Sequence, residues 1–158
     1  MTKKDKYFMQ RAIDLAQEGM NQGSGGPFGA VIVKGDKIVA EGYNRVIAEN
    51  DPTAHAEVEV IRKACKKLNS FQLTGCVIYT SCEPCPMCMA AIYWARLQKV
   101  YFACTRKDAA DILFDDHFIS VEMQKKPADR QIEFSEIMRA EALNVFKKWN
   151  DKTDKTHY

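Results

Sequence analysis

The sequence has little excess charge of either sign. Across 158 residues, 23 lysines and arginines stand against 21 acidic residues, a formal net charge of +2. Its pI of 8.2 lies under the value of about 9 that marks dedicated nucleic-acid binders, so no nucleic-acid partner is expected. Long hydrophobic runs are missing as well. No apolar stretch approaches membrane-spanning length, and the charged start Met1-Thr2-Lys3-Lys4-Asp5-Lys6 is not followed by an apolar h-region. Neither a membrane partner nor a secretion signal is expected, and the cytoplasm is the expected compartment. Repeats, linkers and low-complexity blocks are also absent, which predicts one domain over 1–158 with a polar tail at 151–158. The glycine-rich loop at 23–27 lacks a following G-K-[ST], so it is no P-loop and reads as a turn that brings backbone close to a site.

What the chain does have is thiol chemistry. Its six cysteines, without a secretion signal, read as thiols or metal ligands before disulfides. Cys65, Cys76 and Cys104 sit among apolar neighbours and are expected to be small core residues. Cys85 and Cys88 differ. Thr53-Ala54-His55-Ala56-Glu57 and Ser81-Cys82-Glu83-Pro84-Cys85-Pro86-Met87-Cys88 together spell H-x-E followed downstream by P-C-x-x-C. Cys85 and Cys88, at i and i+3 of a helix start, share one face. Free N–H groups and the positive dipole end favour thiolate there. One imidazole from His55 and two thiolates supply three zinc ligands and leave one tetrahedral position for water, the pattern of a catalytic site. Glu57 stands close enough to move protons, which points to hydrolysis by metal-activated water. A closed zinc knuckle with Cys82 as the fourth ligand is the structural alternative. Glu83-Pro84 should turn the chain between Cys82 and Cys85, and Glu57 argues for catalysis. His117 and His157 are expected to lie outside the ligand set.

Phe8, Ala12, Leu15, Ala16 and Met20 recur at helical spacing and predict an amphipathic first helix. Phe28 to Val33 and Ile38 to Gly42 flank Lys34-Gly35-Asp36-Lys37 and predict an antiparallel hairpin. Its first arm is continuously apolar and should be buried on both faces. Pro52 and Thr53 suit a helix start that Val58, Ile61 and Cys65 continue, placing His55 and Glu57 in its first turn. Cys76 to Thr80 reads as a strand, Cys85 to Leu97 as a helix, and Lys99 to Cys104 as the next buried strand. Ile132 to Phe134 is expected to be a brief strand. Ser135 to Trp149 reads as a final helix, with Ile137, Ala140, Leu143 and Phe146 on one face. Strands alternating with helices predict an α/β sheet with parallel segments and helices on its faces.

With these residues in view, the sequence resembles the cytidine deaminase-like superfamily, whose zinc deaminases carry the H-x-E and P-C-x-x-C signature. More narrowly, it is similar to the bacterial guanine deaminases. The likeness is carried by residues 25–33, 50–57 and 79–88, and continues through Ala91-Ile92-Tyr93-Trp94-Ala95-Arg96, Phe114-Asp115-Asp116 and the terminal Tyr158. The resemblance implies a three-layer αβα sandwich around a mixed five-stranded sheet, and a homodimer with exchanged C-terminal segments. It implies one zinc ion per subunit on His55, Cys85 and Cys88, with Glu57 shuttling protons. Asn44 and Asp116 would hydrogen-bond a purine, Phe28 would pack on its ring, and Ala56 would also contact it. Tyr158 would reach in from the neighbouring subunit. The implied reaction is hydrolytic deamination of guanine to xanthine and ammonia. Deamination of a related amino-purine or nucleoside such as guanosine, or of an amino-triazine, is the nearest alternative. A tRNA adenosine deaminase and a non-catalytic zinc protein that binds a nucleobase or a partner chain stand further off.

Overall fold

Alternate side chains of the first strand face opposite ways, and the fold follows from filling both sides. A computed structural model of the chain describes residues 1–157. Two units are distinguished, Met1–Asp116 and His117–Tyr158. In the first, helix α1 (Lys3–Asn21) precedes strands β1 (Gly29–Lys34) and β2 (Lys37–Tyr43). The short helix α2 (Val46–Glu49), helix α3 (Ala56–Leu68), strand β3 (Cys76–Cys82), helix α4 (Pro86–Trp94), strand β4 (Lys99–Cys104) and helix α5 (Arg106–Asp111) follow. The strands lie in the order β2-β1-β3-β4, with β1 antiparallel to both neighbours and β3 parallel to β4.

Val31 and Val33 of β1 pack with Tyr79 of β3 against Phe8, Ala12 and Leu15 of α1. Ala30 and Ile32 face the other way and join Ile78, Val60 and Ala64 of α3, and Ile92 of α4. The result is the expected three-layer αβα sandwich on a mixed sheet. Each fully buried Val, Leu or Ile contributes about 1.5–3 kcal/mol relative to exposure, so both helical layers are held by burial. The predicted full burial of β1 holds along nearly its whole length. Thr2 and Asp5 form a capping box that starts α1, and Tyr79 Oη donates to Asp5 Oδ1 at 2.8 Å, tying that start to β3.

The sheet has four strands among the described residues, where five were expected. Residues 132–134 are irregular and exposed, and none of their unit's described residues forms a strand that could complete a backbone ladder with them. Strand β4 forms where predicted, yet it is an edge strand, and Phe102 and Cys104 are exposed. In α3 the buried stripe is Ala56, Val60 and Ala64, so Val58, Ile61 and Cys65 flank the core rather than fill it. Helix α4 stops at Trp94, and Arg96 turns out of it at φ 57°. The second unit holds α6 (His117–Gln124), a 3-10 turn at Pro127–Asp129 and α7 (Arg139–Asp151). Helix α7 begins four residues later than predicted, after Met138 in the left-handed region. None of this unit's described residues is buried, and Ile137, Phe146 and Trp149 are exposed. Among the described residues no helix is long and apolar enough to cross a membrane.

Candidate active site

Two helix starts meet beside the sheet. His55 is the N-cap of α3 and Cys85 the N-cap of α4, with Pro86 at the first helical position, where a missing N–H costs nothing. Cys88 follows one turn along α4, and its backbone N–H donates to Cys85 Sγ at 3.5 Å. The two sulfurs and a His55 ring nitrogen lie within 4.8 Å of one another. Nδ1 of His55 is 3.6 Å from Cys85 Sγ and 3.4 Å from Cys88 Sγ. Bonds of about 2.3 Å to sulfur and about 2.0 Å to nitrogen, at a tetrahedral angle, separate N and S by about 3.6 Å. The donor set is therefore spaced for zinc, with one coordination position left over.

The electrostatics suit a cation. A hydrogen bond from the Cys88 side chain pulls the Cys85 thiol down to about 4, with His55 and the Cys88 backbone N–H adding to the effect. The same contact, together with burial, pushes the Cys88 thiol upward, so the pair holds one proton between them. The Cys85 sulfur raises His55. Cys82 lies apart from this cluster: its thiol donates to Thr105 O at 3.5 Å, and burial raises it to about 11. A knuckle with Cys82 as the fourth ligand is thus at odds with the fold.

Glu57 sits one residue inside α3 and is only 5% exposed. Thr80 Oγ1 donates to its Oε1 at 3.2 Å, and Cys88 Sγ lies 3.4 Å from its Oε2. Burial raises its carboxyl above the usual range, favouring the protonated form. This carboxylate beside the ligand set can both take and return a proton. Ala56, between His55 and Glu57, packs its methyl in the core, while its N–H, at the helix's first position, donates to no described residue.

Asn44 is also 5% exposed, and its Oδ1 accepts the Val46 N–H at 3.2 Å. Its amide N–H groups have no partner among the described residues. Gly25 passes so close that a Cβ there would lie 2.0 Å from Asn44 Oδ1. Phe28 meets Phe114 edge to face, centroids 5.0 Å apart, and Gly26 packs beneath both rings. Asp116, at the end of the first unit, pairs with Arg106 of α5. Tyr158 lies outside the described residues. Sequence reasoning gave no role to Thr80, Phe114 or Arg106, although Thr80 and Phe114 lie in segments that carry the family likeness. Nothing in their spacing from the metal motif marks them, although the Gly25-Gly26 pair did signal a close backbone approach.

Residues 2–104 match the cytidine and deoxycytidylate deaminase zinc-binding region. The chain is 54% identical to a guanine deaminase from Bacillus subtilis over 151 residues, covering 96% of this chain and 97% of that protein. A crystal structure of guanine deaminase from Bacillus subtilis superposes with a TM-score of 0.95 at 52% identity, covering 100% of this chain and 99% of the other. A tRNA-specific adenosine deaminase from Aquifex aeolicus is 40% identical over 102 residues, 65% of this chain and 67% of its own length. The candidate ligands and Glu57 all fall inside the matched zinc-binding region, and the chain belongs to the cytidine and deoxycytidylate deaminase zinc-binding family.

Proposed function

We propose that the protein is a zinc-dependent aminohydrolase that converts guanine to xanthine and ammonia, with His55, Cys85 and Cys88 as the zinc ligands. The observation that carries the substrate is the strength of the likeness along nearly the whole chain. The guanine deaminase is 54% identical over 96% of the chain, whereas a tRNA-specific adenosine deaminase that matches 89% of the chain is 34% identical, and the Aquifex enzyme is 40% identical over 65%. Bound zinc supplies Lewis acidity, which makes water nucleophilic near neutral pH.

Glu57 accepts a proton from the attacking water and delivers it to ring N3 as oxygen joins C2. It then takes the new hydroxyl's proton and passes it to the amine, which leaves as ammonia. Water's oxygen is retained as the xanthine carbonyl, so atoms and protons balance. A carboxyl raised by burial suits both halves of this exchange. Thr80 steadies Oε1 and leaves Oε2 toward the reacting groups. Asp116, a pure acceptor, takes the ring's N–H donors, and the Asn44 amide donates to a ring acceptor. Phe28 packs on the base, and the Ala56 N–H, which has no partner among the described residues, is a further donor beside it.

The working unit in this reading is a homodimer of single-domain chains that exchange their C-terminal segments, with Tyr158 closing the partner's pocket. The exposed Ile137, Phe146 and Trp149 support a covering surface for that segment. The expected setting is cytoplasmic purine breakdown. Ammonia release measured across guanine, guanosine, adenine, cytosine and tRNA tests the substrate, with turnover expected on guanine. Release from another member of the panel and none from guanine would overturn it. Deleting Thr156 to Tyr158 should cut the rate by orders of magnitude, and an unchanged rate would remove the tail from the site.

A further inference from the structure

Asp116 is gripped from one side. Arg106 Nε donates to its Oδ1 at 2.8 Å, and Nη2 lies 2.7 Å from the same oxygen. Oδ2 accepts no hydrogen bond from any described residue. Arginine and carboxylate frequently bridge through two parallel bonds, one to each oxygen. Here the fork closes on a single oxygen and leaves the lone pairs of the other for a ligand. The Asp116 side chain remains 21% exposed, enough for one edge to be reached.

Arg106 is itself held in place. Its backbone N–H donates to Glu83 Oε2 at 3.2 Å, and the Glu83 N–H donates to Cys104 O at 2.8 Å. Thr105 and Asp108 form a capping box at the same helix start. Glu83 belongs to the short loop that ends at Cys85, so one segment sets both a metal ligand and the first turn of α5. The pair is also within electrostatic reach of the ligand set, since Asp116 acts on His55 and Cys85 acts on Arg106.

We propose that Arg106 is a positioning residue for substrate selection: by anchoring Oδ1 of Asp116 it presents Oδ2 to the N–H donors of an amino-purine edge. The inference rests on the reading of Asp116 as the purine acceptor. A carboxylate held this way cannot turn away, so rings offering acceptors at that edge are rejected by lone-pair repulsion and by the unpaired polar groups they leave.

The test is a double-mutant cycle on the full chain with guanine, reading kcat and KM separately, with zinc content and Tm measured for each protein. Arg106→Ala and Asp116→Asn are each expected to lower kcat/KM by about 10–100-fold, mainly through KM. Arg106→Lys should recover part of the loss. In the Asp116→Asn background Arg106→Ala should cost nothing further, because the carboxylate it positions is gone. An undiminished cost in that background would overturn the positioning role while leaving Asp116 in the site. Wild-type kcat/KM in Asp116→Asn would instead remove Asp116 as acceptor, and the inference with it. Should Arg106→Ala fail to fold, the Arg106→Lys effect compared in the wild-type and Asp116→Asn backgrounds reads the same coupling.

Discussion

Gly25→Ala places a methyl where Asn44 already stands. The added Cβ would lie 2.0 Å from Asn44 Oδ1, 2.9 Å from its Cγ and 3.0 Å from its carbonyl oxygen. Real contacts of this kind do not fall below 3.0 Å, so Oδ1 must retreat by at least 1.0 Å. Asn44 is buried, and that oxygen holds the Val46 N–H at 3.2 Å, so the retreat breaks a bond that fixes the amide. Leaving the Val46 N–H unpaired costs about 2 kcal/mol, or roughly 6 °C in Tm for a chain of this size. Displacing a substrate-orienting group by about 1 Å can cost on the order of 100-fold in rate. Ammonia release from guanine should therefore show kcat/KM about 100-fold below wild type with zinc content unchanged. The control is Gly35→Ala in the hairpin turn, at φ 58° with nothing within 4 Å of the added carbon. It should lose about 1 kcal/mol from left-handed backbone strain and keep its kcat/KM. A Gly25→Ala protein within twofold of wild type would refute the role given to Asn44.

Glu57→Gln keeps the side chain's shape and its contact with Thr80 but cannot carry the proton, so kcat should fall by at least about 100-fold with zinc still bound. Near-normal turnover would sink the proton-shuttle role. Zinc affinity should rise with pH: Cys88 is held protonated while Cys85 is pulled to about 4, so the metal must displace the Cys88 proton at neutral pH. Chelator competition between about pH 6 and 8 checks this, and a flat profile would contradict it. Gly29→Ala would drive a Cβ to 2.3 Å from Ala12 O and 2.5 Å from Ala16 N, backbone atoms that cannot rotate aside. Helix α1 must lift from the sheet, at a cost of about 3 kcal/mol, readable in urea unfolding; an unchanged midpoint would mean α1 packs elsewhere.

The sequence by itself determined the chemistry and the frame that carries it. H-x-E and P-C-x-x-C are local patterns, and a helix N-cap followed by its first turn places the residues of each pattern within a few ångströms of one another, while the meeting of α3 and α4 that joins the two patterns is tertiary. His55, Glu57, Cys85 and Cys88 were legible for that reason, and so were the hairpin and the continuously apolar β1. Tertiary structure decided what depends on neighbours distant along the chain. Lys99 to Cys104 is apolar enough for a core, yet β4 is an edge because no strand lies beyond it among the described residues. Residues 132–134 have strand-like composition but join no ladder among the described residues. Asp116 was recognised only through a family likeness. Its one-sided grip by Arg106, ten residues earlier, arises because α5 and the turn after it bring guanidinium and carboxylate together. Local patterns follow from backbone geometry over a few residues. Edge, partner and orientation are set by chain returning from elsewhere, and spacing along the sequence does not encode that return.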